Sequence, residues 1–187
     1  MRTFILFSRA TTDANFDIDN LYETGRLDLV ARCCLNVLWI SEHIRDNTQF
    51  IVSLNGGPKP PVAIRFDGSK LGDIFPSEKG IAFVIKKALK AVRDESWISC
   101  HQGVSVSRKS FQELIKEASN IYVLDSKGEN ISKLNIKDGT FVLGDQVGIN
   151  AKELAFALRK GKKLSLGPKN YLASFAVAVV NWVLDQK

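Results

Sequence analysis

Three stretches of the chain carry the residue types from which chemistry could be built. Two are glycine turns, Phe141-Val-Leu-Gly-Asp-Gln-Val-Gly148 and Lys163-Leu-Ser-Leu-Gly-Pro-Lys-Asn-Tyr-Leu-Ala-Ser174. Each follows a short apolar run and precedes a helical stretch, so each reads as a strand-to-helix turn. In an open α/β sheet such turns expose backbone N–H groups to ligands at the carboxyl ends of strands. Gly144 permits a turn that a β-carbon would resist, Gly167 shapes the second turn and Pro168 stiffens it. Taken singly, each turn reads equally well as an ordinary strand ending. The third stretch is Gly25-Arg-Leu-Asp-Leu-Val-Ala-Arg-Cys-Cys-Leu-Asn36. Arg26 and Arg32 offer planar guanidinium forks suited to phosphate, and Asp28 stands beside them. A plain structural ion pair between Arg26 and Asp28 is the competing reading.

Other chemistries lack their signatures. Neither a Gly-x-Gly-x-x-Gly nor a Gly-x-x-x-x-Gly-Lys-Ser/Thr stretch is present, and no Gly-x-Ser-x-Gly elbow supports a serine hydrolase. His43 and His101 are the only histidines and Cys33, Cys34 and Cys100 the only cysteines, without metal-ligand spacing, so no metal is expected. Adjacent Cys33 and Cys34 fall in a helical pattern and read as reduced core residues. No apolar run reaches the ~18 residues of a membrane span. Met1 to Ser8 reads as a buried first strand, not a signal peptide, and a cytoplasmic location is expected. Charge is uneven: 13 Lys and Arg face 12 Asp and Glu up to Glu95, whereas 13 face 8 from Ser96 onward. The basic excess thus belongs to the half with the glycine turns, including Arg159 to Lys163. It suits a polyanion such as RNA, or simply a solvated lysine-rich face.

The elements that must position these residues follow from hydrophobic periodicity. Thr3 to Phe7 is a continuous apolar run expected as a buried parallel strand, and Ser8 to Tyr22 a long polar loop. Apolar positions from Leu29 to Ile44 recur at three- and four-residue steps, predicting a long helix to about Arg45, which Asp28 could cap. Strands are expected at Gln49–Leu54 and Val62–Phe66, and a helix from Pro76 with Ile81, Val84, Ile85 and Leu89 inward. Trp97 to Val106 is expected to be partly extended. Ser110-Phe-Gln-Glu113 has the capping-box pattern. Ile121–Leu124 reads as a strand, Asp125–Asn130 as a turn and Ile131–Ile136 as a short strand or hairpin. Asn150 is expected to cap a helix Ala151–Leu158, and Tyr171 to Leu184 forms a final helix. Strands alternating with helices predict the α/β class, a mainly parallel sheet flanked by helices, in a single domain over 1–187.

Read together and in order, these stretches resemble a known family. The opening Met1-Arg-Thr-Phe-Ile with Phe7-Ser-Arg9, then Gly25 to Cys33, Ser41 to Arg45, Leu143-Gly-Asp145, Ser165-Leu-Gly-Pro168 and Tyr171-Leu-Ala-Ser174 are similar to the archaeal tRNA pseudouridine-54 N1-methyltransferases of the SPOUT class. The resemblance implies a deep trefoil knot over about 121–187, a homodimer, and S-adenosyl-L-methionine held in the knotted loops. A knot departs from the usual un-threaded topology, and periodicity cannot show one.

Carried across residue by residue, the resemblance assigns the cofactor to Leu124, Leu143, Gly144, Ser165, Leu166, Gly167, Pro168, Lys169, Asn170, Leu172 and Ala176. The family commonly has His where this chain has Gln146, and a cofactor-side Cys near Ala176; both groups are missing here. The implied chemistry is methylation of pseudouridine N1, which keeps a proton because the base is C-linked. Asp28 is the candidate base or base-orienter, with Arg26 beside it as the second catalytic candidate, and Asp145 competes as base. A T-loop uridine must leave its stack to react, and Arg9, Arg32, Arg45, Arg159, Lys160 and Lys162 are the expected RNA contacts. A non-catalytic RNA-binding module of the same fold, or methylation of another RNA nucleotide, are the alternatives.

Overall fold

The structure, a computed structural model, describes residues 1–41 and 43–187. The chain runs β1 (Arg2–Thr11), α1 (Leu27–Leu38), β2 (Trp39–Ile40), β3 (His43–Ile44), β4 (Thr48–Gly56), β5 (Val62–Asp67) and α2 (Glu78–Ala91). It continues through β6 (Ile98–His101), β7 (Val104–Ser107), α3 (Phe111–Glu117), β8 (Ile121–Asn130), β9 (Gly139–Gly144), α4 (Ala151–Leu158), β10 (Lys162–Ser165) and α5 (Ala173–Asp185). Eight strands form one sheet in the order β10-β8-β9-β1-β4-β5-β7-β6. The pairings β10·β8, β8·β9, β9·β1 and β1·β4 are parallel, and β4·β5, β5·β7 and β7·β6 are antiparallel. The sheet is therefore mixed and mostly parallel, with its parallel half built from the strands that bear the glycine turns.

Side-chain alternation along β1 explains the layering. Phe4 and Leu6 enter a core shared with α1, α2 and α5, while Ile5 and Phe7 face α3 and α4 on the other side. Phe141 in β9 sits between Phe4 and Tyr122, at ring-centroid distances of 5.3 and 5.5 Å, and knits β9 to its neighbours β1 and β8. Among the described residues, no helix is long and apolar enough to cross a membrane.

Several boundaries differ from the sequence expectation, each for a local reason. β1 does not stop at Phe7 but runs to Thr11, because its pairing with β4 resumes after a register shift between Ser8 and Thr11. α1 ends at Leu38, not near Arg45: Trp39 is extended, and Trp39 and Ile40 pair with Ile44 and His43 in a small hairpin. Asp28 is not the N-cap; Arg26 holds that position in a left-handed conformation (φ 77°), and Asp28 lies in the first turn. β8 extends through the expected turn to Asn130, because Glu129 and Asn130 pair with Leu164 and Ser165 of β10. Beyond it Ile131–Lys133 is a 3-10 turn capped by Asn130. The Ser110–Glu113 capping box and the Asn150 cap form as the sequence predicts. Cys33 and Cys34 are buried and free.

Candidate active site

The ends of β8, β9 and β10 lie side by side in the parallel half of the sheet, so the loops that leave them face one another. Between these loops and the first turn of α5 is a cavity of about 400 Å³, within the range of small-ligand sites. Leu124, Asp125 and Ser126 form one wall; Leu143 to Gly148 form a second; Leu166, Gly167 and Lys169 to Tyr171 form a third. Leu164 closes the floor, with Ala173 and Ala176 from α5.

Each wall is held by its own polar device. The Asp145 carboxylate, fully buried, accepts from the Arg9 backbone N–H at 2.7 Å, from Arg9 Nη1 at 2.8 Å and from the Val147 N–H at 3.0 Å. Arg9 Nη1 also donates to the Gly148 carbonyl at 2.8 Å. The second loop is thereby stapled to β1, and Asp145 shapes the loop with every donor direct. A β-carbon on Gly144 would meet the backbone of Gly148 and Ile149, so that glycine makes the turn compact. In the third wall the Ser165 hydroxyl accepts from the Gly167 N–H and donates to the Gly167 carbonyl, both at 3.0 Å. Gly167 has φ 119° with open space where a β-carbon would stand, so its demand is conformational. Among the described residues, the backbone N–H groups of Lys169, Asn170 and Tyr171 find no protein acceptor and are available to a ligand. Asp125 pairs with Lys163 at 2.7 Å; that hydrogen bond, then one from the Lys127 N–H, holds its carboxyl below the ordinary value.

Of the residues expected to hold a cofactor, Leu124, Leu143, Gly144, Leu166, Gly167, Lys169, Asn170 and Ala176 line this one cavity. Ser165 and Pro168 shape the third wall without lining it, and Leu172 is exposed at the N-cap of α5, outside the cavity. Asp125, Ser126, Val147, Gly148, Tyr171 and Ala173 also line it, beyond the sequence expectation. They continue the same loops by one to four residues, Val147, Gly148, Tyr171 and Ala173 within the two glycine-turn stretches and Asp125 and Ser126 directly after Leu124. Gln146 stands at the rim, exposed.

Arg26 and Asp28 lie elsewhere. Asp28 borders a separate cavity of about 500 Å³ with Tyr22, Arg32, Ser77 and Glu78, among others. Arg26 grips both carboxylate oxygens of Asp28, Arg32 Nη2 donates to Oδ2 at 2.7 Å, and Arg32 Nη1 reaches Glu78 at 3.1 Å. The Arg26 guanidinium also lies over the Tyr22 ring, 4.5 Å from its centroid. Burial alone would raise the Asp28 pKa, but the hydrogen bonds from Arg26 and Arg32 outweigh it and hold the carboxyl below its ordinary value. So held, Asp28 is suited to orienting arginines and poorly suited to taking a proton. The hydrogen bonds to Asp28 in turn raise the Arg26 pKa, against a smaller effect of burial.

The six expected RNA contacts divide into two groups. Arg9, Arg32 and Arg45 are paired with Asp145, with Asp28 and Glu78, and with Asp185 respectively. Arg159, Lys160 and Lys162, at the end of α4 and the start of β10, have no carboxylate partner among the described residues; Arg159 and Lys162 rest over the rings of Phe156 and Tyr122.

Comparison with known proteins covers the chain from end to end. The family model described as "Putative SAM-dependent RNA methyltransferase" matches residues 1–187. A tRNA (pseudouridine(54)-N(1))-methyltransferase of Methanocaldococcus jannaschii is 34% identical, covering 100% of this chain and 98% of the relative. Proteins of the same name from Methanocella arvoryzae and Thermococcus onnurineus are 36% and 38% identical, each covering at least 97% of both chains. Among solved structures, Archaeoglobus fulgidus Nep1 bound to S-adenosylhomocysteine superposes with a TM-score of 0.68 at 11% identity, over 99% of this chain and 97% of that one, a likeness of fold. Sharing a third of its residues along its whole length with such enzymes, the chain belongs to the S-adenosylmethionine-dependent RNA methyltransferase family that includes the tRNA (pseudouridine(54)-N(1))-methyltransferases.

Proposed function

We propose that this protein methylates N1 of pseudouridine at position 54 of tRNA, with S-adenosylmethionine as methyl donor. The observation that carries the reading is end-to-end similarity to enzymes of that name in a chain whose three loops enclose a ligand-sized cavity. When bound, the cofactor supplies an electrophilic methyl group on a sulfonium. The residues present fit it: Leu124, Leu143, Leu166 and Ala176 offer apolar walls to adenine, and the open N–H groups of Lys169 to Tyr171 offer donors. These apolar side chains and backbone donors do not include the family's usual His and Cys, absent at Gln146 and Ala176, so the site does not depend on them. Ser165 and Pro168 act as loop-shaping residues.

Arg26 is the group we assign to the target nucleotide, with Asp28 as its positioning residue. Because Asp28, which Arg26 grips, borders a cavity distinct from the cofactor's, the complete site calls for a second copy of the chain. α5 supports such a homodimer. Its inner face packs on α1, yet Phe175 and Trp182 on the outside are 58% and 65% exposed, and the helix carries no charged residue before Asp185. A helix apolar all round belongs in a buried setting. The deep knot is supported by the path of the C-terminal segment. β10 pairs with β8 out to Asn130, and α5 then lies between α1 and the turn at Ile131–Lys133, where Asn36 and Asn181 hold it to α1. Arg159, Lys160 and Lys162 are the cations we assign to the RNA backbone. A single domain acting in the cytoplasm, with its thiols reduced, completes the reading.

Mass spectrometry of tRNA carrying pseudouridine 54, after incubation with protein and S-adenosylmethionine, tests the assignment. The expected result is one added methyl on that nucleotide. A methyl on another nucleotide, or none alongside normal cofactor binding, sinks it.

A further inference from the structure

α2 turns Ile81, Ala82, Val84, Ile85, Ala88 and Leu89 into the core. Its other face presents Lys79, Phe83, Lys87 and Lys90, all exposed. Their spacing of four, four and three residues places them on one stripe, ~16 Å long at 1.5 Å per residue. From Lys79 to Lys90 the helix carries lysines and no carboxylate. Lys86 is spent on Phe16, whose carbonyl it reaches at 2.8 Å. Lys79 meets Asp19, but both lie largely in water, so a stronger anion can replace that contact at little cost. Lys87 and Lys90 have no ion-pair partner among the described residues.

Phe83, in the middle of the stripe, is 57% exposed, and Phe75 ahead of the helix is 78% exposed. An aromatic ring bracketed by ammonium groups suits unpaired nucleic acid, whose phosphates take the cations and whose bases stack on the ring. It suits a protein face poorly, because the lysines break up the apolar area, and it suits a second copy of itself worse, because like charges would meet. The stripe also starts in a telling place. Glu78 at the head of α2 accepts from Arg32, and the cavity holding Asp28 and Arg32 is lined by Ser77, Glu78 and Lys79.

We propose that this face of α2 is a second RNA-docking surface: Lys79, Lys87 and Lys90 hold the phosphates of an unpaired stretch of the substrate, and Phe83 stacks on one of its bases. It rests on the RNA-methyltransferase reading and extends it, leading the strand away from the Arg26–Asp28 cluster.

The test measures tRNA binding across a potassium chloride series for the full chain, for Lys87→Ala/Lys90→Ala, and for Phe83→Ala and Phe83→Tyr. S-adenosylhomocysteine titration and solution mass are followed alongside. Losing two phosphate contacts should flatten the slope of log affinity against log salt by about 1.4–1.8, at ~0.7–0.9 per contact. Phe83→Ala should weaken RNA binding about tenfold with the slope unchanged, and Phe83→Tyr should restore it. S-adenosylhomocysteine affinity should stay level throughout. Variants that bind RNA as the unaltered protein does overturn the proposal while leaving the methyltransferase reading standing. A change in solution mass instead reassigns the face to protein contact. An unaltered protein that binds no tRNA overturns both readings.

Discussion

Arg26 and Asp28 face each other across one intervening residue: Arg26 Nε donates to the two carboxylate oxygens at 2.9 and 3.2 Å, and Nη2 to Oδ2 at 3.1 Å. With Arg32 on the same carboxylate, one anion orients two cations. Asp28→Asn removes the charge while keeping the shape. We expect methylation kcat/KM to fall about 10–100-fold, as a guanidinium displaced by ~1 Å would cause. S-adenosylhomocysteine affinity should stay within about twofold, and the pH–rate profile should keep its form. Loss of the acidic limb from that profile, where the rate falls as a catalytic carboxylate is protonated, would instead make Asp28 the proton acceptor.

Asp145 gathers three donors from two separate segments, β1 and its own loop. Asp145→Ala leaves Arg9 and two backbone N–H groups without that acceptor, a loss of roughly 2–4 kcal/mol. In a chain of this size that corresponds to a melting temperature lower by ~5–15 °C. Cofactor affinity should fall with it, because the same carboxylate holds the second wall. A variant that melts with the unaltered protein argues against the staple.

Ala176 lines the cavity and is almost fully buried. Ala176→Leu adds three carbons where the ligand is expected, so calorimetric titration should show S-adenosylhomocysteine binding reduced at least about tenfold. Since the added volume enters an existing cavity, the melting temperature should move by only ~2 °C. Unchanged cofactor binding would place the ligand elsewhere.

At the far end of α5, Asp185 takes Arg2 at 2.5 Å and Arg45 at 2.6 Å. Burial alone would raise its pKa, but hydrogen bonds from Arg45 and Arg2 prevail and hold it below 3.8. The stabilisation is therefore fully present above the unfolded value near 3.8 and is lost as pH falls through the lower folded value. Asp185→Asn also strands the buried Arg2 guanidinium and should cost roughly 2–3 kcal/mol at pH 7. Urea midpoints of the two proteins should stay apart at pH 7 and pH 5 and converge below about pH 3.8. A gap unchanged at pH 3 would show that charge is not what Asp185 contributes.

Local signals in the sequence reached some of this molecule well. Apolar runs located the parallel strands, the Ser110 and Asn150 caps located two helix starts, and two glycine turns pointed to two of the three cavity walls. What stayed hidden was set by partners distant in the chain. Asp125 to Asn130 has turn-forming residues, but β10 pairs with it and draws it into a strand. The helix pattern from Leu29 runs smoothly past Leu38, yet β2 and β3 offer the backbone a competing hairpin. Arg9 and Arg45 look like free cations in one dimension; only the folded chain brings Asp145 and Asp185 beside them and neutralises their charge, as it adds Glu78 to the Asp28 that already neighbours Arg32.

The Arg2–Asp185 contact joins positions 183 apart, and Asn181 reaches back to Val37 across 144. A polypeptide emerging from the ribosome must therefore complete nearly all of α5 before β1 and α1 acquire these partners. Because α5 supplies Ala173 and Ala176, the cavity proposed for the cofactor closes late in maturation, after the slow search that long-range contacts impose. Donor binding then becomes a reporter of finished folding: immature chains should not sequester the cofactor, and each molecule that captures it is drawn further toward the native state by mass action.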